Sequence, residues 1–407
     1  MKRRVLSLFS GCGGMDLGFE GNFEIDPCFI NSEIHPDWLL KKNKKYYLKE
    51  TSFEIIFAND ILKEAKAAYI PFFKERKNNA INFYSESIVD LVKMHKNKLF
   101  SFPKNIDVVI GGFPCQDFSI AGKRKGFDSH KNHNGNGMCE LDIASYENRG
   151  QLYMWMKEVI EITKPKVFYA ENVKGLASLG DVKKIIENDF RSIDNEGYLV
   201  LPAKVLNAAD YGVPQNRERI IFIGLNKKYL KRNISKEINL YPRETHFNPK
   251  KNQLFGDNLL MPYTTCMQAL NGLKEPEFEK NDLSQLSYSK AKFCKGYQGN
   301  IEIKLDHISP TIRAEHHGNI EYRRLNEENG GKYINELKTK KERRLTVREC
   351  ARLQTFPDNY IFVRRRLKNE LYPISASGAY RVIGNAVPPL LAYHLSKQLE
   401  HVWNDIF

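Results

Sequence analysis

Apolar residues gather into short continuous runs through the first half of the chain, and each run stops at glycine, proline, asparagine or an acid. Val5-Leu6-Ser7-Leu8-Phe9, Ile106-Asp107-Val108-Val109-Ile110, Lys166-Val167-Phe168-Tyr169-Ala170 and 220–224 read as strands covered on both faces. Residues 29–33 and 54–61 predict a second and a third strand, and 198–206 another. Helix-spaced apolar positions fill 151–160, which Pro165 terminates, and 182–190; a further helix opens at 15–19, directly after a glycine turn. Strand and helix alternate, which predicts a doubly wound, mostly parallel α/β sheet. Residues 63–104 are rich in Lys and Asn, with amphipathic patches such as 88–92, and read as an insertion packed on the sheet edge. Beyond about residue 227 the alternation fades, predicting a second, smaller domain of mixed, partly β character. Residues 343–354 form a basic, amphipathic helix with Thr346 as N-cap and Pro357 beyond its end. Residues 384–389 make an N–H-rich turn opening a last helix that runs to about 403.

Composition narrows the classes. A length of 407 residues suits one large domain or two ordinary ones. The net charge of +14 favours a polyanionic partner, most simply nucleic acid, because cations on phosphate release counterions. No apolar run nears the ~18 residues of a membrane span. The basic, then apolar, start meets its glycine turn too early for a signal peptide, so a cytoplasmic protein is expected. Seven cysteines show no Cys-x-x-Cys. His130, His133 and Cys139 sit in an Asn/Gly-rich stretch without a second tight pair, so no metal is expected.

Candidate chemistry collects at strand ends, where open α/β sheets bind ligands. Two glycines and a proline stop the 106–110 run and expose Cys115, with Gln116 and Ser119 beside it. Alone, a free cysteine is as readily a packing residue. Residues 123–148, rich in Gly, Asn, His and Lys, read as a long loop able to close over a site. Residues 9–14 are a strand–glycine-turn–helix opening that lets backbone approach a ligand. The third glycine comes late, at Gly18, which departs from the dinucleotide Gly-x-Gly-x-x-Gly. Glu33 and Asp60 are acids at strand tips, suited to ribose hydroxyls and to an exocyclic amine. Glu171 ends another strand, and Arg217 and Arg219 alternate on one strand face. Residues 309–319 are dense in base-reading side chains, among them Arg313, Glu315, His316, His317 and Asn319.

Six motifs follow in order: Phe9-Ser10-Gly11-Cys12-Gly13-Gly14, Gly112-Phe113-Pro114-Cys115-Gln116-Asp117-Phe118-Ser119, Glu171-Asn172-Val173, Gln215-Asn216-Arg217-Glu218-Arg219, Arg348-Glu349-Cys350-Ala351-Arg352-Leu353 and Gly384-Asn385-Ala386-Val387-Pro388-Pro389. Together they closely resemble the cytosine-5 DNA methyltransferases of bacterial restriction–modification systems, and they frame nearly the whole chain. The resemblance implies a Rossmann-like, S-adenosylmethionine-dependent methyltransferase domain at 1–240 and a smaller, mixed or β-rich target-recognition domain at 241–365. It also implies a hinge and C-terminal helix at 366–407 that return to the large domain. Matched by position, the cofactor pocket would be lined by Phe9, Ser10, Gly11, Gly13, Gly14, Glu33, Ile34, Asp60, Ile61, Pro114, Leu152, Asn385, Ala386 and Val387. Asn59 departs from the glycine that often precedes the acid, and Ile34 follows the ribose acid where another apolar or aromatic residue packs on adenine.

The same resemblance makes Cys115, Glu171, Arg217 and Arg219 the catalytic set. Carbon 5 of cytosine is a poor nucleophile; a Cys115 thiolate adding at carbon 6 would activate it. Glu171, its proton retained by partial burial, would serve ring nitrogen 3, and the arginines would hold the base carbonyl. The base must leave the duplex to be reached. Gln116, Ser119, Lys123 and Arg124 would contact double-stranded DNA together with the 313–319 residues. Monomeric action and a functional pairing with a cognate restriction endonuclease are implied likewise. An RNA cytosine methyltransferase of the same fold and a catalytically silent DNA-binding module stay open as alternatives; the glycine spacing disfavours an NAD-dependent oxidoreductase.

Overall fold

A computed structural model describes residues 2–77, 82–114, 152–194, 196–231, 239–250, 259–314, 319–331, 341–365 and 374–407. In chain order, β1 (Arg3–Leu8) runs into α1 (Gly14–Glu20), and a hairpin of β2 (Leu39–Lys42) and β3 (Lys45–Leu48) leads to β4 (Phe53–Asn59). Then come α2 (Lys63–Arg76), β5 (Phe83–Tyr84), α3 (Ile88–Lys96), β6 (Val108–Gly112), α4 (Leu152–Thr163), β7 (Val167–Val173) and α5 (Val182–Arg191). The strands β8 (Tyr198–Val200), β9 (Lys204–Asn207) and β10 (Glu218–Asn226) complete the main sheet. Among the described residues its order is β5-β4-β1-β6-β7-β10-β8, with β9 also on β10. From β5 to β7 the strands are parallel; β10 is antiparallel to each of its neighbours.

Continuous apolar runs make this sheet because both faces are covered. Val5, Ile110, Tyr169 and Ile221 pack to one side with α1 and α2, and Leu6, Val109, Phe168 and Phe222 to the other with α3, α4 and α5. Residues 241–407 contribute short elements: β11 (His246–Phe247), β12 (Met261–Pro262), α6 (Cys266–Leu270), α7 (Leu283–Leu286), β13 (Tyr322–Arg324), β14 (Arg343–Arg344) and α8 (Val347–Leu353). The chain ends with α9 (Ala376–Asn385) and α10 (Pro389–Ile406). Ile303, Ile312, Leu345 and Phe356 belong to the same apolar cluster as Val5 and Ile110. The core therefore runs continuously from the large sheet into this region. Seven-residue α1 is too short to hold alone; it is held by α10, so close that a Cβ on Gly18 would lie 2.4 Å from the Pro389 carbonyl oxygen.

Three sequence expectations change. Residues 29–33 are not a strand: Pro27–Phe29 is a 3-10 turn, and Asn31 Oδ1 accepts the N–H groups of Glu33 and Ile34. That local turn competes with sheet pairing, and β4 takes the place beside β1. The 63–104 stretch is not an edge insertion; α2 and α3 cover opposite faces of the sheet, and of its described residues only β5 forms an edge strand. The 198–206 run breaks into β8 and β9 around Pro202, which has no N–H for a ladder.

Candidate active site

The chain passes from β1 outward to β4 and β5, then back across β1 to β6 and β7, so the winding reverses between β1 and β6. A crevice opens at such a reversal, beyond the carboxyl ends of the strands. The β1 turn supplies one wall. Phe9 (φ +52), Gly11 (φ +56) and Gly13 (φ +75) are all left-handed, and for Phe9 that is a strained state the fold has to hold. Gly11 N–H donates to Asp60 Oδ2 (2.9 Å), and Gly13 N–H to the Ser10 carbonyl (2.8 Å). Asp60, just past β4, also accepts from Leu62 N–H, and burial lifts its carboxyl to about 6 against those two bonds. Beneath the turn, Asp16 accepts from Ser7 Oγ (2.6 Å) and Tyr69 OH (2.8 Å), while Ser7 and Ser10 share a hydrogen bond of 2.8 Å.

The other wall is β6, β7 and β10. Glu171 stands opposite Gly112 on one side and Ile221 on the other. Arg219 is its diagonal neighbour, and Arg219 Nε meets Glu171 Oε1 at 2.8 Å with both side chains about nine-tenths covered. A Cβ on Gly112 would lie 2.7 Å from Glu171 Oε2, so the glycine leaves room for the carboxylate in the position it takes here. Burial raises the Glu171 carboxyl above its ordinary value, and the charges of Arg219 and Arg217 act against that rise. Asn172 Nδ2 donates to the Phe113 carbonyl (3.2 Å), tying β7 to the segment that leads through Pro114 toward Cys115. Leu152, at the start of α4, is buried on the same side of the sheet as Phe113.

The C-terminal turn closes the first wall. A Cβ on Gly14 would stand 2.2 Å from the Val387 carbonyl oxygen and 3.2 Å from Ala386 Cβ, so 386–387 lies directly on the start of α1. Asn385 is exposed at the end of α9, and Ile61 is 38% exposed beyond β4. Arg217 is fully buried and donates to the carbonyls of Ile312 (2.9 Å), Gly384 (2.6 Å) and Ala386 (2.7 Å). Gln215, two residues earlier, accepts from Ile312 N–H (3.0 Å) and donates to the Leu353 carbonyl (3.2 Å).

The model of the family described as C-5 cytosine-specific DNA methylase matches residues 3–401. The chain belongs to that family. This methylase is 32% identical to the Type II methyltransferase M.BsuRI of Bacillus subtilis, over 96% of this chain and 78% of the relative. It is 30% identical to M.NgoFVII of Neisseria gonorrhoeae over 99% and 88% of the two chains. Among solved structures, the Entamoeba histolytica methyltransferase EhMeth has a TM-score of 0.56 at 16% identity, each chain covered over 98%. Schizosaccharomyces pombe Dnmt2 has a TM-score of 0.54 at 14% identity, with 99% of each covered. Both show the fold.

In the methylase, then, β1, β4, β6 and α9 bring Phe9, Ser10, Gly11, Gly13, Gly14, Asp60, Ile61, Pro114, Ala386 and Val387 to one end of the sheet. Glu33 and Ile34 do not join them. Their turn is anchored by Asn31 Nδ2 on the Thr245 and Leu259 carbonyls, beside β11 and β12 rather than on a strand of the main sheet, and Glu33 is exposed. Arg217 is corrected too: its guanidinium is engaged by three backbone carbonyls rather than open to the crevice. Arg313 pairs with Glu321 (3.2 Å) and donates to Gln298 (3.3 Å) and to the carbonyl of Asn319, so its fork is engaged by neighbouring groups of the protein. The basic face expected on α8 is largely internal as well; Arg348 binds Asp282 (2.6 Å) and Arg352 binds Asp358. Cys115, Gln116, Ser119, Lys123, Arg124, Glu315, His316 and His317 lie outside the described residues. Among the described residues no cluster could hold a metal ion, and no helix is long and apolar enough to cross a membrane. Sequence reasoning passed over Asp16 and Gln215; an acid in the first turn of a helix and a glutamine two places before an arginine were their only signals.

Proposed function

We propose that the methylase transfers a methyl group to carbon 5 of a cytosine flipped out of a short, specific duplex site, through a covalent bond to Cys115. The observation carrying this reading is the buried Glu171–Arg219 pair, which lies over Gly112 only three residues before Cys115. S-adenosylmethionine supplies, when bound, an electrophilic methyl group. The residues present fit it in part. An added Cβ on Gly11 would meet no described atom within 4 Å, so among the described residues nothing fills the space before the left-handed turn, and Ile61 offers a 38% exposed apolar side chain on the same rim. Phe9, Gly11, Ile61, Pro114 and Asn385 would hold it; the carboxylate expected for its ribose, Glu33, is not at this rim.

The chemistry follows from side-chain type. The Cys115 thiolate adds to carbon 6, and the electrons of the 5,6 double bond move to carbon 5, making it nucleophilic. Glu171, which burial helps to keep protonated, hydrogen-bonds ring nitrogen 3 as negative charge develops there. Arg219 holds Glu171 in place and offers its remaining N–H groups to the base carbonyl. Once carbon 5 carries the methyl group, loss of its proton expels the thiolate and restores the double bond. The base reaches these groups only outside the duplex. Protection of the host's DNA from a paired endonuclease is the role this activity serves in our reading.

The test is incubation of unmodified genomic DNA with the protein and S-adenosylmethionine, read by bisulfite sequencing, beside Cys115→Ser and Glu171→Gln. Conversion-resistant cytosines in one recurring short context, absent with Cys115→Ser and reduced about 10²–10³-fold in rate with Glu171→Gln, are expected. Full turnover by Cys115→Ser would refute the covalent step.

A further inference from the structure

Residues 288–300 contain three lysines, two tyrosines and no carboxylate. One buried arginine shapes the stretch. Arg344 is 2% exposed and donates to the carbonyls of Ala291 (3.0 Å), Lys292 (3.4 Å) and Gly299 (3.0 Å) and to Asn300 Oδ1 (3.1 Å). Its guanidinium lies 4.2 Å from the Tyr322 ring, and the Tyr322 hydroxyl donates to the same Ala291 carbonyl (3.1 Å). Asn300 Nδ2 closes the tip on the carbonyls of Cys294 and Tyr297. Gly299 (φ +80) turns the chain so tightly that a Cβ there would lie 2.3 Å from the Asn319 carbonyl oxygen.

All these anchors lie on the inner side of the loop. Its outer side presents Lys292, Cys294, Lys295, Tyr297 and Gln298, all exposed, with Tyr297 at 67%. A loop fixed by a buried arginine loses little freedom when it binds, so its exposed side chains act at low entropic cost. Ammonium groups suit phosphate as point charges, and a tyrosine ring adds flat contact area between them. The position is apt as well. Gln298 takes a hydrogen bond from Arg313 (3.3 Å), and the preceding carbonyl, that of Ile312, is held by Arg217, two residues before Arg219. The loop therefore stands one side chain away from the scaffold of the Glu171–Arg219 pair.

We propose that residues 288–300 are a preformed clamp on the sugar–phosphate backbone of duplex DNA flanking the target base, with Lys292 and Lys295 on phosphates and Tyr297 packed on the backbone between them. This rests on DNA being the substrate. The clamp positions the duplex and reads no bases.

The experiment compares the full-length protein with Lys292→Ala/Lys295→Ala, on a mixed-sequence duplex of roughly 30 base pairs, by binding titrations between about 50 and 200 mM salt. Each lost phosphate contact lowers the slope of log affinity against log salt by about 0.9, so the fall in affinity across that range should shrink about twelvefold in the double variant. Turnover at saturating DNA should stay unchanged while KM for DNA rises. In parallel, saturating DNA should protect the exposed Cys294 of the parent from maleimide, read by peptide mass spectrometry. A parent that binds DNA while the variant keeps the same salt slope, or while Cys294 stays fully reactive, would overturn the clamp. A parent that binds no DNA at any salt would instead overturn the substrate reading on which it stands.

Discussion

Arg217 carries the most discriminating prediction, because the family resemblance and the three-dimensional arrangement assign it different work. Its guanidinium is entirely buried and joins β10 to three carbonyls: one at Ile312 and two at the turn that lies on the start of α1. Arg217→Met would leave three buried acceptors without donors, at about 1–3 kcal/mol each. Release of a buried cation offsets part of that loss, so a net destabilisation of about 3–5 kcal/mol is expected. Arg217→Lys keeps the charge but not the fork, and one ammonium cannot reproduce the three-carbonyl geometry; about 1–3 kcal/mol should be lost. Urea unfolding measures both. The turn that bears two of the acceptors is the one placed against the β1 glycines, so the lysine variant should also bind S-adenosylhomocysteine several-fold more weakly by calorimetry. Its turnover at saturating cofactor should then approach that of the parent. The reasoning fails if Arg217→Lys unfolds and binds cofactor like the parent but has lost turnover, since that is the signature of a group touching the base.

Other expectations are briefer. Burial lifts the Asp16 carboxyl to about 7, so the folded chain holds that proton more tightly than the unfolded one, whose value is near 4. The stability this contributes is whole below about pH 4 and is lost as the pH rises through about 7. Asp16→Asn should flatten the fall in urea midpoint over that window; parallel slopes in variant and parent would count against it. Gly18→Ala puts a methyl group 2.4 Å from the Pro389 carbonyl oxygen and 2.5 Å from Ala392 Cβ. Thermal unfolding should show a loss of about 1–3 kcal/mol or more, and an unchanged midpoint would mean that α1 and α10 do not pack as described. Thr346 Oγ1 accepts from Glu349 N–H while Glu349 accepts from Thr346 N–H. Because the Thr346 hydroxyl also donates to buried Gln285 Oε1 (2.7 Å), Thr346→Ala should cost about 2–4 kcal/mol in chemical denaturation, and Thr346→Ser should restore most of it.

What the sequence showed was local, and what it hid was partnership. Runs such as 5–9 and 106–110 declared themselves because a strand covered on both faces is apolar at every position, and Thr346 because an N-cap needs only its own next three residues. The 29–33 misreading has a local cause as well: apolar Phe29 and Ile30 outweighed Pro27 and Asn31, whose turn chemistry was in plain view. Pro202 likewise broke a strand that hydrophobicity alone joins. The Glu171–Arg219 pair was half legible. The sequence placed Glu171 at a strand end and Arg219 on a strand face, but that Gly112 makes room for the carboxylate follows only from the parallel register of β6 on β7.

The arginines show why charge is the harder part to read. Residues 343–354 look like a basic face, yet Arg343 binds Glu275 and Glu349, Arg344 binds carbonyls, Arg348 binds Asp282 and Arg352 binds Asp358. Most of those partners lie dozens of residues away, where no spacing rule reaches. A planar fork with five donors suits buried carboxylates and carbonyls, whereas a strongly hydrated ammonium stays at the surface. Arg343, Arg344 and Arg348 are therefore tied up inside the protein and Arg352 is held by Asp358, so a larger share of the +14 available to a polyanion falls to lysine. This favours lysines on rigid exposed loops, such as Lys292 and Lys295, over the arginine-rich helix as the place where the methylase meets phosphate. Loss of DNA binding in Arg348→Ala with the fold intact, and none in Lys292→Ala/Lys295→Ala, would reverse that assignment.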